Sequence, residues 1–292
     1  MIIQEPIFII GSGRSGTTLF YNILAGHRDL AWFSNYTDRY PNKPWFAKFN
    51  ALYKNITLSK KYRTWSLFPK PSEGFNIWNY FHPLSDIEDA GASSPLYEDD
   101  IKDTNIPLMK KIISKHIEYS NATRFLNKNT RNTRRSRYLK EIFHDCIFIH
   151  MIRDGRAVIN SLLNVQWWND LPLWYRNDFK TPSQLIKEGY NEILLAAKMW
   201  KNNVNRLLED KKKIPKNQYH ELRYEEFIND PHTCLKNILS FCNLKYYEDY
   251  EKFINSFNII NMDYKWKNEF TNDQIEMIED EIGSLLKKLK YL

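Results

Sequence analysis

The chain has 292 residues, with 42 Lys plus Arg against 35 Asp plus Glu and a formal charge of +7. Apolar residues at 42% and aromatics at 15% exclude a disordered or low-complexity polypeptide, and the length suits one large domain or two small ones. The basic excess is compatible with nucleic acid, a membrane surface or a polyanionic small ligand and does not choose among them.

The N-terminal segment MIIQEPIFIIGSG has no basic region ahead of its apolar run and does not read as a signal peptide. Residues 6–18, PIFIIGSGRSGTT, read as a buried strand, a glycine turn and the start of a helix over 17–25. Gly11, Gly13 and Gly16 hold three of only 9 glycines. They let backbone N–H groups approach an anion, which the helix N-terminus also favours. Arg14, Thr17 and Thr18 add a planar cation and two hydroxyl donors. The spacing resembles G-x-x-x-x-G-K-[ST], but Thr17 stands where the lysine that clamps β- and γ-phosphates is required, which disfavours an ordinary kinase or ATPase.

The stretch 32–97 breaks the rhythm with dense Trp, Tyr, Phe and Pro, and reads as an aromatic cap inserted over a cleft. A helix over 107–119 precedes a strand at 124–126. Arg131, Arg134, Arg135 and Arg137 crowd seven residues, and read either as a solvated face or as a docking site for an anionic acceptor. Residues 146–163, CIFIHMIRDGRAVINSLL, read as a strand over 146–152 and a helix over 155–163. Arg153 at the strand end and Ser161 on the helix can converge on one phosphate. A long amphipathic helix is expected over 182–208 and a strand over 218–222. Asp230-Pro231 opens a helix that continues over 233–241. Thr271 with Gln274 forms a capping box for the last helix, which Lys287, Lys288 and Lys290 close.

Continuous apolar strands separated by helices predict a parallel α/β sheet in one domain, 1–292, with 32–97 as the insert. Two anion sites at strand ends predict a ligand with two separated phosphates. The odd cysteines 146, 234 and 242 lack metal-ligand spacing; Cys146 reads as a buried thiol. No metal site is expected, and a reducing, cytoplasmic compartment is. No stretch approaches the ~20 apolar residues of a transmembrane helix.

Strand-GSGRSGTTL followed by strand-RDGRAVINS resembles the sulfotransferases that use 3′-phosphoadenosine 5′-phosphosulfate (PAPS), with the bacterial and tyrosylprotein-type branch nearest in pattern. FLNKN (125–129), LRYEEF (222–227) and KWKNEF (265–270) extend the resemblance over most of the chain outside the insert. It implies a P-loop-like sheet flanked by helices and PAPS as co-substrate. It also implies roles: Ser12, Gly13, Arg14, Ser15, Gly16, Thr17 and Thr18 on the 5′-phosphosulfate; Arg153 and Ser161 on the 3′-phosphate; Tyr224 near adenine. Lys265 and Lys267 would close a loop over the 3′-phosphate with Trp266 as its apolar anchor, and Lys128 would steady the transferring sulfuryl group.

Sulfuryl transfer needs cations where charge builds, here Arg14 and Lys128, and a base for the acceptor proton. The glutamate that serves the tyrosylprotein branch falls on Asn35, which cannot accept that proton. Glu73, in KPSEGFNIW, is the favoured replacement, on the expectation of an isolated carboxylate in an apolar cleft with a raised pKa. Asp38, His27 and His82 stay open; Asp38 also reads as a surface ion pair and His27 as a helix-end structural group. The resulting expectation is a PAPS-dependent sulfotransferase acting on a hydroxyl of a carbohydrate, glycolipid or small metabolite, with no role for nucleic acid. The alternatives are a P-loop-like small-molecule kinase and a non-catalytic polyanion binder of the same fold. Donor-site cations would then absorb much of the +7, leaving the 131–137 cluster as the surplus.

Overall fold

The computed structural model of the chain describes residues 3–81 and 95–292. Five strands, β1 (Ile7–Ile10), β2 (Leu30–Ala31), β3 (Arg124–Lys128), β4 (Ile147–Ile152) and β5 (Tyr219–Arg223), form one parallel sheet in the order β2-β3-β1-β4-β5. Four of them coincide with the expected apolar runs. β2 was not expected: two residues are too short to carry a period, and it exists because Leu30 and Ala31 pair with Arg124 and Phe125. Side chains alternate across a strand, so IFII feeds both faces. Ile7 and Ile9 join Phe20, Leu24, Met151 and Leu222 on one side. Phe8 and Ile10 join Phe33, Trp78, Phe125 and Phe148 on the other. Burial on both faces is why the pattern reads as continuously apolar.

The helices follow in chain order. α1 (Thr17–Leu24) leaves the glycine turn; α2 (Asn35–Arg39), α3 (Asn50–Lys54), α4 (Ile56–Tyr62) and α5 (Phe75–Phe81) come from the aromatic stretch. Next come α6 (Ile106–Tyr119), α7 (Ser136–Ile142), α8 (Gly155–Leu163), α9 (Pro182–Lys187) and α10 (Glu192–Lys211). α11 (Tyr224–Asn229), α12 (Pro231–Phe241), α13 (Glu248–Ile254), α14 (Lys265–Glu269) and α15 (Asn272–Lys288) complete the chain. The single helix expected over 182–208 is two. Gly189 adopts φ 90°, and Asn191 starts α10 afresh by accepting the N–H groups of Ile193 and Leu194. The anticipated caps are present: Asp230 accepts the Thr233 N–H, and Thr271 and Gln274 cap reciprocally. Lys290 lies past the end of α15, with φ 60°.

Much of the aromatic stretch is core. Trp32, Phe33 and Phe81 are fully buried, and the Trp32 indole N–H donates to the Ala25 carbonyl at 2.9 Å. The segment through α2, α3 and α4 remains at the surface. A third apolar cluster packs Val158 of α8 on Trp200 of α10 and Ile282 of α15. Gly155 permits that approach, since a Cβ there would stand 2.7 Å from Ile282 and 3.0 Å from Trp200.

β1 is central, with β3 and β4 on its two sides. Connections leaving in opposite directions open a crevice beyond the carboxyl ends of these strands, where ligands of α/β sheets bind. The glycine turn, Lys128 and Arg153 all lie at that end.

Candidate functional site

The turn after β1 is shaped by close contacts. Gly11 runs at φ 151°, and a Cβ there would stand 2.6 Å from the Met151 carbonyl oxygen. Thr133 grips the same residue, donating to its carbonyl at 2.7 Å and accepting its N–H at 3.2 Å. Gly16 runs at φ 84°, and a Cβ there would stand 2.3 Å from the Tyr224 ring. Arg14, at φ 70°, takes a left-handed conformation rare outside glycine. α1 begins at Gly16 without a side-chain cap, so the amides of its first turn face the crevice.

A cleft of about 600 Å³ opens over this turn, lined among others by Gly13, Arg14, Thr17, Thr18, Lys128 and Glu73. Ser12 and Ser15 are buried instead, with Ser12 Oγ accepting from Asn203 Nδ2 at 3.4 Å. Burial, then the nearby Arg153 charge, pulls the Arg14 pKa below its ordinary value.

Lys128, at the end of β3, is buried. Its ammonium donates to Thr18 Oγ1 at 3.2 Å and to Glu73 Oε1 at 2.5 Å. The other Glu73 oxygen accepts the Thr130 N–H at 2.9 Å and its hydroxyl at 3.2 Å. The Glu73 backbone carbonyl accepts from Asn129 Nδ2 at 3.0 Å. Glu73 is thus in the cleft as expected, but not isolated among apolar groups: a lysine and two donors of Thr130 surround it. Sequence reasoning did not single out Thr130 or Asn129; their signal was the run of polar residues NKNT at the end of an apolar strand.

The other candidate bases are employed elsewhere. Asp38 accepts the N–H groups of Asn76 and Ile77 and the Ser72 hydroxyl, capping α5 rather than forming a surface ion pair. His27 is fully buried between the Lys245 carbonyl at 2.8 Å and the Asp29 N–H at 3.3 Å, and burial lowers its pKa. Its structural reading therefore holds. His82 lies outside the described residues. Asn35 clamps the following loop through Ser66, Phe68 and Lys70.

A second cavity of about 450 Å³ adjoins the first and shares Arg14, Arg153 and Ser161 with it. Arg14 Nε donates to Ser161 Oγ at 3.0 Å, and Arg153 donates to the Arg14 carbonyl at 3.0 Å. The two sequence motifs therefore meet. The Arg153 guanidinium lies 4.1 Å from the Tyr224 ring centroid and pairs with Asp263 at 3.1 Å. Lys265, Tyr224 and Trp266 line this cavity; Lys267 does not, and its ammonium sits near the Tyr264 and Trp266 rings. Trp266 is buried under Arg156, 4.4 Å from its ring centroid.

The 131–137 cluster is not a solvated face. Arg134 and Arg135 are 7% and 5% exposed. Arg137 pairs with Glu98 at 2.6 Å. Arg131 and Arg134 line the first cleft beside Phe75, Trp167 and Leu171. The Arg134 guanidinium lies over the Trp174 ring at 5.4 Å, its Nε has no hydrogen-bond partner, and no carboxylate pairs with it among the described residues. Burial, then Arg135 and Arg131, lowers its pKa to about 9. The solvated-face reading fails because Arg134 and Arg135 turn inward at the short 3₁₀ helix Thr130–Arg134 that follows β3.

Arg14, Lys128, Arg131, Arg134 and Arg153 against Glu73 make the wall of the cleft strongly cationic. Such a wall suits a dianionic or trianionic ligand and charge developing on it. Among the described residues, no group of His, Cys, Asp and Glu is arranged to hold a metal ion, and no helix is long and apolar enough to cross a membrane.

A sequence model of the sulfotransferase family matches residues 6–249. The omega-hydroxy-beta-dihydromenaquinone-9 sulfotransferase Stf3 of Mycobacterium tuberculosis is 21% identical over a 322-residue alignment that spans 100% of this chain and 76% of the relative. The protein-tyrosine sulfotransferase of Drosophila melanogaster is 24% identical over 168 residues, 56% of this chain and 30% of its own. In fold, the chain is similar to sulfotransferase STF9 from Mycobacterium avium, with a TM-score of 0.61 at 15% identity over 99% of this chain and 77% of that one.

Proposed function

The chain belongs to the sulfotransferase family, and from that premise we propose that it transfers the sulfuryl group of PAPS to a hydroxyl of a carbohydrate, glycolipid or small metabolite. The observation that carries this reading is the Lys128 ammonium. It bridges Thr18, at the start of α1, and Glu73, across the cleft. One residue thereby touches both the anion-binding turn and the carboxylate suited to act as base.

The assignment of groups follows from position. The turn from Gly13 to Thr18 takes the 5′-phosphosulfate, because its amides and Arg14 face the larger cleft. Arg153 and Ser161 take the 3′-phosphate, on the wall shared with the second cavity. Arg153 exchanges its Asp263 partner for that phosphate. Tyr224 and Trp266 supply the apolar surface for adenine, and Lys265 approaches from the loop beside them. Ser12 and Ser15 contribute backbone rather than side chain, and Lys267 contributes long-range charge.

In the reaction the acceptor oxygen attacks sulfur as the bond from sulfur to the 5′-phosphate oxygen breaks. The acceptor proton passes to Glu73. Lys128 swings from Glu73 to the sulfuryl oxygens, which neutralises charge there and frees the carboxylate to accept. Arg14 stabilises the departing phosphate oxygens. Adenosine 3′,5′-bisphosphate is the second product, held on the Arg153 side. The name of the mycobacterial relative, a sulfotransferase of a hydroxylated menaquinone, supports the small-metabolite arm.

The test has two readouts. Adenosine 3′,5′-bisphosphate raises the Tm of the protein more than ATP with magnesium does, since it fits both anion sites and stabilises only the folded state. Labelled PAPS with a panel of hydroxyl acceptors shows turnover, which Glu73→Gln abolishes while keeping the bisphosphate shift. A shift with no turnover on any acceptor leaves only the polyanion-binding reading; no shift at millimolar bisphosphate sinks both.

A further inference from the structure

The formal charge of the chain is concentrated in one surface segment. Between Arg39 and Ser72 there are six lysines and two arginines and no Asp or Glu, so this segment carries +8 and, the whole being +7, the remainder carries −1. The surplus therefore does not centre on the 131–137 cluster, nor on the nucleotide site. Lys54 and Arg63 turn inward, to the Arg28 carbonyl and to Ser256. Arg39, Lys43, Lys48, Lys60 and Lys61 are exposed and make no ion pair among the described residues.

The same segment displays apolar groups. Tyr40, Trp45, Phe49, Leu52, Trp65 and Leu67 are 38%, 40%, 37%, 39%, 60% and 78% exposed. They are six of the sixteen large exposed hydrophobic side chains among the described residues, in 34 positions. Tyr40, Trp45 and Phe49 form one cluster. Trp45, Tyr40, Tyr36 and Phe49 gather round Phe46 with ring centroids at 4.0, 5.6, 5.7 and 6.0 Å. The Tyr36 hydroxyl donates to the Leu67 carbonyl at 2.6 Å, which joins the second apolar tip to the first. Cations flank the rings: Lys43 lies 5.4 Å from Tyr40 and Lys48 5.6 Å from Trp45.

Exposed rings and leucines ringed by lysines, with no acidic residue, match the interface of a bilayer. The rings and aliphatic tips enter the headgroup boundary while the ammonium groups meet anionic lipid. Phosphodiester strands would satisfy the lysines but not Leu52 and Leu67, and a second copy would bring like charges together. We propose that residues 39–72 dock the protein on an anionic membrane surface. Leu67 lies six residues from Glu73, at most about 20 Å of extended chain, so docking holds the cleft near the headgroup layer.

Sedimentation of the full chain with vesicles of phosphatidylcholine, alone or with about one-third phosphatidylserine, tests this without any acceptor. The expected result is at least about tenfold stronger binding to the serine-containing vesicles, weakened by high salt. Trp45→Ser with Trp65→Ser, and separately Lys48→Glu with Lys61→Glu, each reduce it about tenfold. Retention of the thermal shift by adenosine 3′,5′-bisphosphate shows that these variants are folded. Equal or absent binding to both vesicle types overturns the proposal. So does binding of single-stranded oligonucleotides in preference to vesicles, or a dimer in sedimentation equilibrium that the Trp pair dissolves.

Discussion

Glu73 and Lys128 sit so close that neither acts without moving the other. Removing Lys128 leaves the Glu73 carboxylate with only Thr130, and on the proposed role of Lys128 at the sulfuryl group Lys128→Ala should lower kcat by about 10²–10³. Arg14→Ala should do likewise. Arg153→Ala should chiefly weaken the donor, raising its KM while kcat changes little, because its guanidinium faces the wall shared with the second cavity. Steady-state kinetics with varied PAPS separates the two patterns, and a uniform loss in all three variants contradicts the assignment. Arg134 is the residue most misjudged by local reading. An arginine in a basic run is ordinarily solvated, yet this one is 7% exposed with no carboxylate partner among the described residues. A buried uncompensated charge costs stability. Arg134→Met is therefore expected to raise the Tm of the unliganded protein and to raise the KM of an anionic acceptor. A lower Tm would show that the guanidinium is compensated.

At the level of elements, the turn between β1 and α1 was legible because its chemistry is local: glycines, an arginine and two threonines within eight residues. What shapes it is not local. Gly16 is required by the Tyr224 ring, more than 200 residues away in sequence, and by its φ of 84°. Gly16→Ala should displace that ring and strain the turn by about 1–3 kcal/mol. Thermal unfolding should show a lower Tm and a diminished bisphosphate shift; an unchanged shift would mean that the turn tolerates the methyl group. Capping signals at Asp230 and Thr271 were read correctly, since a cap is decided within four residues. The break at Gly189 was missed because amphipathic periodicity continues across it, while a single glycine settled in the left-handed region ends the helix. β2 was missed because its two residues depend wholly on β3.

For the molecule as a whole, acid should be destabilising. His116 and His150 are fully buried, and burial holds their pKa values down to about 4 and about 3. In the unfolded chain they titrate at about 6.5. Between those values the unfolded state binds more protons, so stability is complete above pH 6.5 and falls as pH decreases. The slope is about 1.4 kcal/mol per pH unit for each histidine. Urea unfolding at pH 7.5, 6 and 5 measures the slope, to which His27 and His220, also lowered by burial, add, and His116→Leu should lower it by up to about 1.4 kcal/mol per pH unit. Stability that stays flat from pH 6.5 to 5 would contradict this account. The charge balance is another whole-molecule property. Summed over the chain, it said only that partners are anionic. Mapped on the surface, it separates a cationic cleft from a lysine-and-aromatic face at 39–72.

The sequence by itself determined the parallel α/β sheet, the glycine turn between its first strand and helix, and the strand-to-helix step that carries Arg153 and Ser161. All of these rest on short contiguous patterns whose physics is complete within a strand, a turn and a helix. Only the tertiary structure decided which carboxylate meets Lys128, that Asp38 is a cap and that Arg134 is buried. Those outcomes depend on contacts between segments 34 to 55 residues apart in sequence, and the free energy of a charged group is set by whichever neighbours the fold places beside it.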